Sequence, residues 1–565
     1  FYFCKVKIHP EDDQKIYLPG WDVEISTDGG RTFRGGWGDK AHVDMHAFAF
    51  DPNDPDHIVF GSDGGIYQTF DAGEKWQFIN TLAVGQFYNI VLDDSEPYRI
   101  AGGLQDNGSW VGPSGTNRES EEYTDGTPVT GITNADWQFI NWGDGFHCAF
   151  DPTDRNVLYA EWQGGNLVRT HLDTGQRLYL APQQAEGGPR FRFNWNSPFF
   201  VSRHDPTVLY LAGNYVFRLT NRGEKWTKIS GDLSFNDPAK IETVGSQAET
   251  FATVVTLAES PVARGTLWAG TDDGRIHRTT NDGMAWNEVT PEQVGGLYVS
   301  RIEASYTDAE RAIASIDGHR SDMMDPRILA TDDGGATWRD VTGDLPAGRS
   351  VKVVREDRFN GDVLYAGTEN GVFVSVDRGG TWVRMNAKSL PHCPVDDIQM
   401  HWRERDLVLG THGRSIYILD DAGFLSECTP ENLEKPLHVF TCRPAKPKFM
   451  LWYQGLWQDQ VFRAENPPKH AIITYWLRDA ASDSVSISIK NEKDVEVAKL
   501  TGGTFAGINR VTWDCQPKET MRRLDQGEEP WLPFFVPPGL YRVEVTSGDL
   551  KSTTSLEVRA AISPS

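Results

Sequence analysis

The chain has 565 residues, of which 80 are acidic and 55 are basic, so its formal net charge is −25. Such an excess of carboxylates repels a nucleic-acid backbone and an anionic membrane surface, and we expect neither as a partner. A chain of this length is too long to fold around a single hydrophobic core, so we expect two or more domains.

The composition favours short β-strands joined by turns. The chain contains 55 Gly, 31 Pro, 19 Trp and 28 Phe residues, and it shows no long helical periodicity. No stretch reaches the roughly 18 to 20 apolar residues that cross a bilayer, so we expect no membrane-spanning segment. Residues 1–8 already read as a strand, without the basic start and apolar run of a leader, which predicts a processed product or a fragment.

A turn motif, which we call the signature turn, recurs six times between residues 26 and 382. An Asp or Asn is followed two residues later by Gly and five residues later by Trp or Phe. In such a turn the Asx side chain accepts backbone N–H groups, Gly takes positive φ, and the ring enters an apolar layer. We therefore predict a structural role for the six Asx residues, which are Asp28, Asp71, Asn221, Asn281, Asp333 and Asp377.

Neighbouring copies of the signature turn lie roughly 43 to 60 residues apart, the size of a four-stranded propeller blade. Counting the strand patterns gives about nine blade-like modules, beginning near residues 8, 46, 87, 146, 198, 253, 298, 350 and 394. Nine modules fit one ring badly, because propellers commonly hold 4 to 8 blades. We predict a propeller over 87–425, preceded by modules in 1–86 that complete an upstream propeller; one unusually large ring is the alternative.

The repeat stops after residue 421. Residues 426–460 are irregular and rich in Pro and Lys, which predicts a linker. Residues 461–565 alternate apolar and polar positions with period two, which predicts a small immunoglobulin-like β-sandwich. Cys428 and Cys442 flank the irregular stretch, and they are either a disulfide or two buried free thiols.

The signature turns resemble the Asp-boxes, or BNR repeats, of sortilin, sialidase and xyloglucanase propellers. Five further segments are similar to large exported bacterial proteins described as sortilin-like or glycosyl-hydrolase-like: residues 102–110, 142–146, 194–198, 317–320 and 410–421. Residues 471–558 resemble the immunoglobulin-like domain of the flagellar hook-cap (FlgD) type. The resemblance implies an all-β architecture and an extracellular, periplasmic or cell-surface location. It specifies activity weakly, because fold does not fix function.

Blade topology separates the signature turns from the residues that we predict for a site. The turn between strands three and four lies on one face of a blade, whereas the start of strand one and the turn between strands two and three lie on the other. We predict that a polar mouth forms on this second face, with these binding residues: Asp44, His46, Gln105, Asn107, His147, Asp317, His319, Arg320, His412 and Arg414.

Asp106 and Asp144 are the candidate catalytic pair on the same face. Glycoside hydrolysis needs two carboxyl groups about 5 to 9.5 Å apart, one with a raised pKa. Arginines such as Arg301 would suit the carboxylate clamp of a sialidase, but nothing selects its tyrosine nucleophile. The spacings Asp44-x-His46 and Asp144-x-x-His147 are too common to predict a metal. We predict no cofactor, with calcium as the alternative.

These patterns favour a non-catalytic exported scaffold or binding protein that recognises a protein or an extracellular glycan through a propeller face. It would belong to a larger envelope assembly. The alternative is a glycoside hydrolase acting on an extracellular polysaccharide. A second alternative, implied by the resemblance to sortilin, is a peptide binder that holds its ligand in a central tunnel.

Overall fold

The computed structural model describes residues 3–561, except 4, 38, 117, 120–130, 185, 189, 242–249, 386–389, 449–450, 453–460, 469 and 519–534. It confirms the predicted all-β propeller architecture: nine blade-like antiparallel sheets follow one another along the chain, and two further sheets form a sandwich after them. The first strands of the nine sheets begin within two residues of the predicted positions. Among the described residues, no helix is long and apolar enough to cross a membrane.

Two sheets precede the ring. Sheet 1 contains β1 (Lys7–His9), β2 (Asp12–Pro19), β3 (Val23–Ser26) and β4 (Arg34–Gly35). Sheet 2 contains β5 (Met45–Asp51), β6 (Asp54–Ser62), β7 (Gly65–Thr69) and β8 (Gln77–Phe78). A shared aromatic core joins them, in which Trp37 stacks on Phe48 and meets Trp76 edge to face.

Seven blades follow. Blade 1 contains β9 (Phe87–Leu92), β10 (Arg99–Leu104), β11 (Gly108–Pro113) and β13 (Gln138–Asn141); β12 (Arg118–Glu119) lies outside it. Blade 2 contains β14 (Gly145–Phe150), β15 (Val157–Trp162), β16 (Asn166–His171) and β17 (Arg177–Tyr179). Blade 3 contains β18 (Phe199–Val201), β19 (Leu209–Ala212), β20 (Val216–Thr220) and β21 (Lys225–Lys228). Blade 4 contains β22 (Val254–Glu259), β23 (Leu267–Thr271), β24 (Ile276–Thr279) and β25 (Asn287–Glu288).

Blade 5 contains β26 (Tyr298–Ala304), β27 (Ala312–Asp317), β28 (Ile328–Thr331) and β29 (Arg339–Asp340). Blade 6 contains β30 (Val351–Glu356), β31 (Leu364–Thr368), β32 (Gly371–Ser375) and β33 (Val383–Arg384). Blade 7 has three strands, β34 (Val395–Met400), β35 (Leu407–Thr411) and β36 (Ile416–Leu419). Each blade contacts the next, and β34 contacts β9, so the seven blades close on themselves.

The remaining elements are short, apart from the sandwich strands. The helices are α1 (Pro238–Ile241) and α2 (Pro430–Glu434), with 3-10 turns at Asn134–Asp136, Glu292–Val294, His319–Ser321 and Ala422–Glu427. One sheet of the sandwich contains, in spatial order, β37 (Leu437–Val439), β39 (Ala471–Leu477) and β42 (Gly507–Trp513). The other sheet contains, in spatial order, β41 (Glu496–Gly502), β40 (Val485–Lys490), β43 (Gly539–Ser547) and β44 (Leu550–Val558). Strand β38 (Leu451–Trp452) follows β37 in the chain and forms a separate two-stranded parallel sheet with β12.

The sandwich has its own core, in which Tyr475 and Trp513 of one sheet pack with Ile487 and Val543 of the other. Cys442 belongs to this core, whereas Cys428 lies in the core of blades 6 and 7, and both are free buried thiols. Of the two alternatives, the structure therefore shows free thiols at Cys428 and Cys442 and no disulfide between them. The division at residues 86, 425 and 460 into separate domains, and the hook-cap type of the sandwich, stay predictions.

Backbone hydrogen bonds define two opposite faces of the blades. On the upper face, the turn between strands two and three bonds to the segment that leads into strand one, as in Asp272 N to Thr253 O at 3.0 Å. On the lower face, the signature turn bonds to the turn between strands one and two, as in Asp282 N to Gly265 O at 3.0 Å. The signature turns therefore lie away from the predicted site.

Five signature turns share one hydrogen-bond pattern. In blade 5 the Thr331 hydroxyl donates to Asp333 at 2.9 Å and accepts the N–H of Gly335 at 2.9 Å, while Asp333 accepts the N–H of Thr337 at 2.8 Å. The turn at Asn221 differs, because this residue adopts φ 54° and its side-chain amide donates to Glu224 at 3.0 Å. The cause is its shorter spacing, which puts Thr220 directly before the Asx residue instead of two residues before it.

Candidate functional site

Six of the seven inner strands of the ring carry a register shift near the upper face. The shifts occur in β9, β14, β22, β26, β30 and β34. A β-bulge leaves its extra residue out of the ladder and redirects that side chain. In five of these strands the bulge leaves one residue out of the strand pairing. These residues are Tyr88, Val255, Ser300, Lys352 and Asp396.

Three of these bulge residues pair with residues that the sequence predicts for binding. Asp396 accepts from His412 Nδ1 at 2.8 Å, and Lys352 Nζ donates to Asp317 at 3.0 Å. Tyr88 donates its hydroxyl to Gln105. The hydrogen bond that His412 donates to Asp396 raises the pKa of His412, and burial raises the pKa of Tyr88 above its usual range. Each of these predicted binding residues is thus already paired within the protein, and the polar mouth itself stays a prediction.

Asp106 and Asp144 lie in direct contact at the junction of blades 1 and 2. The Oδ1 atom of Asp144 accepts the backbone N–H of Asp106 at 2.7 Å, and the two carboxyl groups are within hydrogen-bonding reach. Asp144 is 6% exposed and Asp106 holds the left-handed conformation, φ 59°. A pair in contact shares a proton and leaves no room for a glycosidic bond between its members.

Glycines permit this contact. A Cβ atom at Gly103 would lie 2.1 Å from the carbonyl carbon of Gly145, and one at Gly145 would lie 2.3 Å from the carbonyl oxygen of Gly108. Because glycine has no Cβ atom, the backbones of blades 1 and 2 lie closer together at the upper face than any other residue would allow.

Sheet 2 and its leading segment supply further polar groups to the same place. Asp63 lies within hydrogen-bonding reach of the Asp106 carboxyl, and its backbone oxygen accepts the side-chain amide of Asn107 at 2.9 Å. His42 Nε2 lies 3.1 Å from the backbone oxygen of Asp106, and His46 Nε2 lies 3.0 Å from Asp63 Oδ1. We call Asp44, Asp63, Asp106 and Asp144 the carboxyl cluster.

Burial controls the protonation of the carboxyl cluster. Burial, followed by the hydrogen bond with Asp106, raises the pKa of Asp144 to about 6. Burial also raises the pKa of Asp106 and that of Asp44. The charges of Asp63 and Asp44 raise the pKa of Asp106 further, whereas its hydrogen bond with Asp144 lowers it. Like charges at this separation disfavour ionisation of both members of a pair, so Asp106 and Asp144 retain a proton at a higher pH than isolated aspartates do.

An aromatic group borders the carboxyl cluster on the upper face. Trp142 is 73% exposed, and its ring lies 5.0 Å from that of Phe139, which in turn lies 5.2 Å from Trp110. The indole of Trp110 donates to the backbone oxygen of Asn107 at 2.7 Å. We call Trp110, Phe139 and Trp142 the aromatic platform.

The other predicted residues lie outside these groups. His147 and Arg301 line a cavity on the ring axis, where burial lowers the pKa of His147 to about 3. The Arg320 guanidinium lies 4.6 Å from the centre of the Tyr298 ring, and Arg414 is exposed and donates to the backbone oxygen of Gly413. His147 and Arg301 thus face the axial cavity, and the convergence of the predicted binding residues on one mouth stays a prediction.

Sequence reasoning did not find several members of the site. His42 and Asp63 fall in polar turns without a recognised motif, and Tyr88, Lys352 and Asp396 face the mouth only because of the bulges. The recurrent Asp or Lys beside apolar strand residues, as in Val395–Asp397, was the available signal for a bulge. Among the residues that the structure describes, no three His, Cys, Asp or Glu side chains are arranged to hold a metal ion. Calcium remains a prediction only.

Comparisons with known proteins give fold-level likenesses. No family model matches the chain, and no curated protein sequence matches it. The β-propeller domain of Cps50 (Swd1) from Myceliophteria thermophila is similar over 60% of this chain and 98% of that one, with a TM-score of 0.40 and 12% identity. YCF48 from Cyanidioschyzon merolae is similar over 66% and 95%, with a TM-score of 0.36 and 11% identity. The extracellular domain of BT4673 from B. thetaiotaomicron is similar over 98% and 74%, with a TM-score of 0.40 and 10% identity.

Proposed function

We propose that this chain is a non-catalytic, exported binding protein that recognises a neutral extracellular glycan on the upper face of blades 1 and 2. The observation that supports this most directly is the exposed Trp142 ring beside the carboxyl cluster. A ring that is 73% exposed on a surface otherwise rich in polar groups offers an apolar face at which a sugar ring stacks. Carboxyl groups nearby accept hydrogen bonds from sugar hydroxyls.

Charge and pairing support binding over catalysis. The net charge of −25 disfavours acidic polysaccharides, so the expected ligand is neutral. The polar side chains of the mouth are paired with one another, and the Asp106 and Asp144 carboxyls are too close to flank a bond. Such a preorganised surface suits recognition, as in many ligand sites with a few fixed polar groups.

The test is affinity electrophoresis of the full chain through gels containing neutral polysaccharides, such as mannan, laminarin and arabinoxylan. We expect retardation by at least one, and a loss of at least fivefold in apparent affinity for Trp142→Ala. The matched control is Met284→Ala, which removes a side chain that is 83% exposed on a lower-face turn. Absence of retardation by every polysaccharide, or equal retardation of the Trp142→Ala variant, would contradict the proposal.

A glycoside hydrolase at the same place is the second candidate, and the raised pKa of Asp144 favours it. A buried carboxyl that keeps its proton to about pH 6 can act as a general acid. The second catalytic carboxylate, which acts as base or nucleophile, would then come from elsewhere in the carboxyl cluster, since Asp106 is in contact with Asp144. Release of reducing ends from a bound polysaccharide that is lost in Asp144→Asn and Asp106→Asn would establish this activity. Binding without such release supports the first proposal.

A further inference from the structure

The ring encloses a cavity of about 690 Å³ on its axis, below the bulges. Inner strands of all seven blades line it, and this volume lies within the range of small-molecule sites. The cavity is separate from the aromatic platform, so an inference about it does not depend on the proposed glycan site. Its lining includes five arginines: Arg155, Arg203, Arg301, Arg355 and Arg358.

Most acidic groups of the cavity wall already have a cationic partner. Arg355 Nη1 donates to Glu303 and its Nη2 to Asp397, both at 2.6 Å. Four other wall acids pair with cations: Asp93 with Arg99, Glu96 with Lys446, Asp151 with Arg222, and Glu356 with Arg311. Glu259 accepts the Ser202 hydroxyl and the backbone N–H of Arg203. Asp94 accepts the indole N–H of Trp402.

Two arginines at the lower opening have no such partner. The guanidinium carbon of Arg203 lies 5.0 Å from the centre of the Tyr306 ring, and that of Arg358 lies 5.3 Å from the same centre. Arg203 also donates to the Tyr306 hydroxyl at 3.0 Å. No carboxylate of the described residues lies within 4.0 Å of either guanidinium. Two guanidinium groups thus border one aromatic ring, and Glu303 acts on Arg203 without forming an ion pair with it.

A third arginine deeper in the cavity is also poorly compensated. Arg301 lies 3.1 Å from the amide oxygen of Asn89 but 3.6 Å from Asp397, and its Nε atom is buried without a hydrogen-bond partner among the described residues. Burial and the neighbouring Arg355 lower the pKa of Arg301. An anion in the cavity would give the Nε atom of Arg301 a hydrogen-bond acceptor and would offset the repulsion between Arg301 and Arg355. Guanidinium groups bind oxyanions in this way, with charge-assisted hydrogen bonds.

We propose that the lower end of the axial cavity binds a small molecule carrying a phosphate or sulfate group. The oxyanion lies at the opening, against Arg203 and Arg358 beside Tyr306, and the body of the ligand enters the cavity toward Arg301. Inner-strand aromatic residues such as Phe199 supply an apolar wall for that body. Both oxyanions are tetrahedral and negatively charged, and titration with one ester of each kind distinguishes them.

The test is calorimetric titration of the full chain with phenyl phosphate and phenyl sulfate, with phenol as the neutral control. We expect saturable binding of at least one ester, no saturable binding of phenol, and weaker binding at higher ionic strength. The double variant Arg203→Gln/Arg358→Gln is expected to raise Kd at least tenfold. Thermal melting of each variant establishes that it is folded.

The matched control is Arg278→Gln. The guanidinium of Arg278 also lies 5.0 Å from an aromatic ring, that of Trp268, but it pairs with Glu310 outside the cavity. Its replacement should leave Kd unchanged. The proposal is overturned if neither ester binds, if phenol binds as tightly as the esters, or if the folded double variant binds as tightly as the original chain.

Discussion

At the scale of single residues, the Asp106–Asp144 pair should make stability depend on pH. The pKa of Asp144 is about 6 in the folded chain and near 3.8 when the chain is unfolded. A carboxyl whose pKa is raised by folding stabilises the fold fully below pH 4 and loses this contribution as the pH rises through 6. The shift corresponds to at most about 3 kcal/mol.

The expected result is that Asp144→Asn flattens this dependence, because the amide is neutral at every pH. The measurement is the denaturant midpoint at pH 4.5 and at pH 7.5 for both proteins. Asp549→Asn, an exposed substitution in the turn between β43 and β44, serves as the control. An equal change in midpoint between the two pH values for the original chain and for Asp144→Asn would show that the pair does not hold a proton.

At the scale of the element, the signature turn should owe its stability to its buried hydroxyl as much as to its Asx residue. Thr331 is 1% exposed, and its hydroxyl both donates to Asp333 and accepts from Gly335. Thr331→Val keeps the shape but leaves that N–H without an acceptor, so we expect a loss of about 1 to 3 kcal/mol in the free energy of unfolding.

Thr220→Val is the matched control, since Thr220 precedes the atypical turn at Asn221, where no described hydrogen bond uses its hydroxyl. We expect it to cost less than about 0.5 kcal/mol. Urea unfolding of both variants checks the difference. If the two substitutions cost the same, the hydroxyl is not what fixes the common turn.

The elements also show which parts of the molecule the sequence predicts. Turn and strand patterns are local, so the six Asx-Gly-aromatic turns together with the strand patterns were enough to predict nine modules and the face on which the turns lie. The mouth depends instead on contacts between blades that are distant in sequence, such as those of Gly103 with Gly145, and on bulges that redirect Tyr88 and Lys352. Periodicity does not reveal a bulge, because one extra residue only shifts the alternation. For this reason the sequence did not reveal that His147 lines the axial cavity.

At the scale of the whole molecule, closure of the ring depends on blade 7, which has three strands and no signature turn. Asp397 of its inner strand accepts the backbone N–H of Ile90 in blade 1 at 3.1 Å and holds Arg355 of blade 6 at 2.6 Å. One buried carboxylate thus joins three blades at the point where the chain meets itself. Its arginine partners, together with those hydrogen bonds, lower the pKa of Asp397 despite complete burial.

Asp397→Ala should therefore destabilise the ring strongly. The substitution leaves Arg301 and Arg355 buried beside each other, with Glu303 as the remaining carboxylate partner among the described residues. Breaking a buried pair in this way costs about 3 to 5 kcal/mol. Its sequence neighbour offers the control: Asp396 pairs with His412, which is 44% exposed, so Asp396→Ala should cost no more than about 1 kcal/mol. Urea unfolding followed by tryptophan fluorescence measures both. Comparable losses for the two neighbours would mean that closure rests on apolar packing between β34 and β9, and that the carboxylate on the axis is dispensable.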